Sequence, residues 1–72
     1  TTTIDYALKM NGMVRLSVYD LTGQEVAVLV DGMQSAGNYK VQFGGENLTS
    51  GVYIYKLQTE EQAITRKMTL IN

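Results

Sequence analysis

The segment Leu48-Thr49-Ser50-Gly51-Val52-Tyr53-Ile54-Tyr55-Lys56-Leu57 leaves the chain little choice of architecture. A Ser-Gly turn opens it, and strict alternation follows, with Tyr53, Tyr55 and Leu57 on one face and Val52, Ile54 and Lys56 on the other. A period of two residues is the signature of a β-strand. With 72 residues, no cysteine and no proline, the chain is near the lower size limit at which an apolar core alone holds a fold. Hydrophobic residues at 44% supply that core, and a mean hydropathy of -0.09 leaves no membrane-like excess. The longest apolar run, Val26 to Val30, is far too short to span a bilayer as a helix, so membrane insertion is not expected.

Taken in order, the chain reads as strand and turn throughout. Thr2 to Leu8 alternates, with Ile4, Tyr6 and Leu8 on the buried face. Asn11-Gly12 readily takes positive φ and is expected to close a tight hairpin into Met13 to Tyr19, where Val14, Leu16 and Val18 point inward and Arg15, Ser17 and Tyr19 outward. Asp20-Leu21-Thr22-Gly23 has turn chemistry. The third strand, Gln24 to Val30, is apolar on both faces in its second half, which predicts a central or doubly covered strand ended by Asp31-Gly32. Met33 to Gly37 is a connection with room for a short edge strand. Tyr39, Val41 and Phe43 then alternate with Lys40 and Gln42 until Gly44-Gly45 breaks the strand, and Leu48 plugs the core from the loop that follows. Glu60-Glu61 is a charged hairpin tip, and Gln62 to Ile71 returns with Ile64, Met68 and Leu70 inward. Arg66 falls on that inward face, which requires either a sheet edge or a bulge. Lys40, Lys56, Arg66 and Lys67 sit where charge discourages sheet-to-sheet association.

Regularly spaced turn signals and the absence of helical periodicity predict an all-β fold in one domain, residues 1–72: an immunoglobulin-like antiparallel β-sandwich of roughly six to seven strands. The order Leu-x-x-Gly-x-Tyr-x-apolar matches the entry to strand F of such sandwiches, where a corner tyrosine returns its hydroxyl to the backbone a few residues upstream. A buried tyrosine needs a partner for its O–H, and the turn ending at Gly51 can bring one close. The alternative is an ordinary strand with two half-buried tyrosines. Ala36-Gly37-Asn38-Tyr39 echoes Ser50-Gly51-Val52-Tyr53, read as two strands that each begin at a glycine where the chain turns in.

Chemistry is scarce. Histidine is absent, so Ser17, Ser35 and Ser50 lack the commonest activating base, and no Ser-x-x-Lys occurs. Glu60 and Glu61 are adjacent on a tip and point apart. Asp20 and Asp31 suit turns for backbone reasons, with a Ca²⁺ site as the competing reading. No phosphate loop occurs, and a net charge of -1 with both signs scattered argues against nucleic acid. No catalytic residue, cofactor or metal site is predicted. The face opposite Tyr53 still carries Val52 and Ile54, so an open outer face would be an apolar patch able to meet a partner. With no Trp and most of the five tyrosines inward, a carbohydrate platform is weakly supported. No signal peptide begins at Thr1, which fits a module cut from a larger protein.

Four ordered segments carry a family likeness. Thr3-Ile4-Asp5-Tyr6-Ala7-Leu8 with Val14 through Val26, then Ala36-Gly37-Asn38-Tyr39, then Leu48 through Leu57, then Arg66-Lys67-Met68-Thr69-Leu70-Ile71 together resemble the C-terminal sorting domains of the bacterial type IX secretion system. The chain is also similar to the related Ig-like module of flagellar hook-capping proteins. The resemblance implies a non-catalytic targeting domain behind an upstream cargo domain in the same chain. It implies passage through the periplasm of a Gram-negative-type bacterium, recognition by an outer-membrane translocon, removal by a sortase-like peptidase, and a secreted or cell-surface destination. The family's recurrent elements fall on Gly51, Tyr53, Lys67, Met68 and Leu70, which are therefore the expected partner-binding residues. The sequence departs from the family at both ends: no Asn-Pro precedes Thr1, and Asn72 stands where many members end in Lys or Arg. Two other classes fit the residues: a passive Ig-like spacer, or a carbohydrate- or protein-binding accessory module of a secreted multidomain enzyme. The hook-capping relative would imply self-assembly.

Overall fold

The computed structural model describes residues 2–44 and 48–71, so Thr1, Gly45, Glu46, Asn47 and Asn72 lie outside the described residues. Six strands follow one another: β1 (Thr2–Leu8), β2 (Gly12–Tyr19), β3 (Glu25–Gln34), β4 (Gly37–Phe43), β5 (Gly51–Thr59) and β6 (Ala63–Leu70). They form an antiparallel sandwich of a two-stranded sheet, β1-β4, and a four-stranded sheet, β3-β2-β5-β6. Between the sheets, Ile4, Tyr6 and Leu8 from β1 meet Val14, Leu16 and Val18 from β2, Phe43 from β4, Tyr53 and Leu57 from β5, and Leu70 from β6. Each alternate residue points inward because the pleat has period two. Burying a side chain the size of Leu16 or Phe43 stabilises the fold by roughly 1.5–3 kcal/mol.

Ile4, Tyr6 and Leu8 are buried as expected, β5 is central between β2 and β6, and Leu48 packs against the core from its loop. The Asp20 turn forms: Gly23 N donates to Asp20 O at 3.1 Å, while Asp20 Oδ1 accepts from Thr22 N at 2.9 Å and Gln24 N at 3.0 Å. The Thr22 hydroxyl, then the Gln24 amide, hold the Asp20 carboxyl below its usual range. That carboxylate is thus occupied by its own turn.

Several expectations are corrected. Asn11-Gly12 does not close a hairpin, since β1 pairs with β4 and the chain crosses to the other sheet before β2. Gly12 is not among the positive-φ residues, and Asn11 Oδ1 instead accepts from Ala36 N at 2.7 Å, tying the crossover to the β3–β4 connection. The third strand is neither central nor ended by Asp31-Gly32: β3 is an edge strand that runs on to Gln34. Its apolar run has a different cause. Register shifts between Leu16 and Ser17 and between Val18 and Tyr19 place two extra residues in β3, so both Val26-Ala27 and Leu29-Val30 become half-buried. Met33 and Gln34 belong to β3, leaving Ser35 and Ala36 as the connection. Ser17 points outward as predicted yet is only 3% exposed. Lys56 lies on a central strand, so it protects no edge.

Candidate interaction site on the closing hairpin

The hairpin of β5 and β6 starts from a turn that glycine makes possible. Gly51 has φ +157°, a conformation that side-chain-bearing residues rarely adopt, and the chain bends there from the Leu48 loop into β5. The bend carries Thr49 back under the strand, and the Tyr53 hydroxyl donates to Thr49 O at 2.7 Å. This is the tyrosine corner that the sequence predicts. The ring itself is 8% exposed and meets Phe43 edge-to-face, with centroids 5.4 Å apart and planes at 72°. Its echo is a second corner, because Tyr39 donates its hydroxyl to Ser35 O across the same four-residue span. The Tyr39 ring stacks on Tyr6 at 5.2 Å, and the Tyr6 hydroxyl donates to Gln34 Oε1. Burial raises the Tyr6 pKa above its ordinary value of 10.0.

The register brings the predicted residues together at one end of this hairpin. Gly51 faces Leu70, Tyr53 faces Met68, and Lys67 lies opposite Ile54. Their exposures divide them. Leu70 is fully buried, Tyr53 nearly so and Met68 half-buried, whereas Lys67 is exposed on the outer face. Four of the five therefore build the hairpin and anchor it, and Lys67 is the side chain it displays. Arg66 points to the core side but is exposed, because β6 is the sheet edge and its ladder with β5 has no register shift. Lys56, Arg66 and Lys67 form no ion pair with a described carboxylate, in contrast to Arg15, which is 3.3 Å from Glu25 and 3.1 Å from Asp31.

On the outer face of the same sheet, Val52 is 42% exposed and Ile54 half-buried, so this face is open rather than covered at β5. Among the described residues no cluster of His, Cys, Asp or Glu could hold a metal ion. Sequence reasoning did not anticipate the clamp at this same end of β6, where Thr2 Oγ1 donates to Thr69 O at 2.7 Å. No local signal announces it, since the partners lie at opposite ends of the chain. The second corner did have a signal, the repeated small-Gly-x-Tyr.

Fold and site together define a small β-sandwich whose last strand is both its core seal and its edge. The chain belongs to the secretion-system C-terminal sorting domain family, whose model matches residues 1–71. No curated protein and no solved structure is significantly similar to it. Membership makes the chain a sorting signal read by a secretion machinery, a task of recognition.

Proposed function

We propose that this chain delivers a covalently attached upstream cargo to the cell surface through the type IX secretion system and catalyses no reaction itself. The cargo crosses the inner membrane by a separate signal. In the periplasm the folded chain is recognised by the outer-membrane translocon, and a sortase-like peptidase then removes it. Family membership over residues 1–71 carries this reading. The geometry of the closing hairpin supports a division of labour in which Gly51, Tyr53, Met68 and Leu70 hold β6 in place and Lys67 faces the partner.

The test fuses the chain behind an exported reporter in a bacterium that carries this secretion system. Surface display should require the chain, and without it the reporter should stay in the periplasm. Equal display with and without the chain would refute the sorting role.

A further inference from the structure

The two edges of the four-stranded sheet are built differently. β3 carries two register shifts and Gly32 at φ +156°, devices that twist an edge away from a would-be partner. β6 runs regularly against β5 from Gln58–Ala63 to Gly51–Leu70. The hairpin tip fixes which of its backbone groups are free. Thr59 N donates to Gln62 O at 2.8 Å, which makes that closing pair a hydrogen-bonded one. Pairs alternate along an antiparallel ladder, so Ala63, Thr65, Lys67 and Thr69 are non-bonded positions whose N–H and C=O point away from β5. The Thr2 hydroxyl bond to Thr69 O confirms the phase independently, because that carbonyl faces outward. β1 meets β6 only over a short stretch at that end, so among the described residues no strand pairs with the outward groups of Ala63, Thr65 and Lys67. Around them stand Lys56, Arg66 and Lys67, cations with no described carboxylate beside them. The two-stranded sheet differs, since its ladder sets Asp5 opposite Lys40.

We infer that the open edge of β6 takes an extended, acidic segment of the secretion machinery as a fifth strand of this sheet. Main-chain hydrogen bonds at Thr65 and Lys67 supply the affinity, and Lys56, Arg66 and Lys67 select carboxylates on the incoming strand. Arg66 and Lys67, which lie on the edge strand itself, oppose pairing with a second copy of β6. This inference rests on the sorting role proposed above and adds how the signal is read.

The experiment uses the reporter fusion with two β6 variants. Thr65→Pro removes one outward N–H without touching a β5–β6 bond, and Arg66→Glu with Lys67→Glu reverses the charge while leaving the backbone intact. Urea unfolding of each chain shows whether it folds. Surface display should fall about tenfold in each folded variant, the loss of one or two hydrogen bonds or ion pairs. Display at the unmodified level from either folded variant overturns the inference and leaves the sorting role standing. Should Thr65→Pro not fold, the double charge variant decides alone. If the unmodified chain elutes as a dimer and Thr65→Pro as a monomer, the edge serves self-pairing and the acidic partner is excluded. If the unmodified chain displays no reporter, the sorting role fails first and this inference with it.

Discussion

Tyr39 and Tyr53 perform the same task on different sheets. Each is the third residue of its strand, two after the positive-φ glycine that opens it, Gly37 at +150° and Gly51 at +157°, and each returns a hydroxyl to the carbonyl four residues upstream. The bond fixes where the incoming loop joins the strand, which loop entropy would otherwise leave free. Tyr53 is the more buried of the two and its bond to Thr49 O is part-buried, so water replaces that bond less readily than the exposed one of Tyr39. Tyr53→Phe should therefore cost about 1–2 kcal/mol, and Tyr39→Phe, whose bond is exposed, about 0.5 kcal/mol. Urea denaturation of the two variants checks the order, and equal costs would show that burial does not set the value of the corner.

Among the elements, β6 has to serve as core and as edge. Its even-numbered residues hydrogen-bond to β5 while Leu70 fills the core, and its odd-numbered residues turn their backbone outward. Native-state hydrogen exchange should resolve this. The amides of Ile64, Arg66 and Met68 should be protected, and those of Thr65 and Lys67 should exchange at least about tenfold faster. Uniform protection along the strand would mean that the free edge is already paired. The edge position of β6 also explains why Arg66 is tolerated on the inward side: at the last strand of a sheet a long side chain reaches water past the rim.

For the whole molecule, the small core makes signal and stability hard to separate. Leu70 is fully buried, and Leu70→Ala should cost about 2–5 kcal/mol, a large share of the total stability of a domain this small. A drop of that size in the urea midpoint is the expected result, and a change below about 0.5 kcal/mol would show that β6 does not seal the core. Removing Met68 to Asn72 would consequently test folding along with recognition, which is why the exposed pair Arg66 and Lys67 makes the cleaner probe.

What sequence alone decided is local. Alternation placed β1, β2, β4, β5 and β6 and their inward residues, turn chemistry placed the Asp20 and Glu60-Glu61 turns, and Gly-x-Tyr placed the corner, because each depends on neighbours a few residues apart. The hairpin of β5 and β6 was legible for the same reason, whereas the choice of Gly51, Tyr53, Lys67, Met68 and Leu70 on it came from the family resemblance. Tertiary structure decided the pairing. Asn-Gly at 11–12 is compatible with a hairpin, but β1 gains more by pairing with β4, and Asn11 then bonds Ala36 across the fold. The apolar run of β3 is compatible with a central strand, yet two bulges at an edge produce the same pattern. Which strand is left with an open edge is a property of the assembled sheet, since it depends on every partner choice at once and no single stretch of residues encodes it.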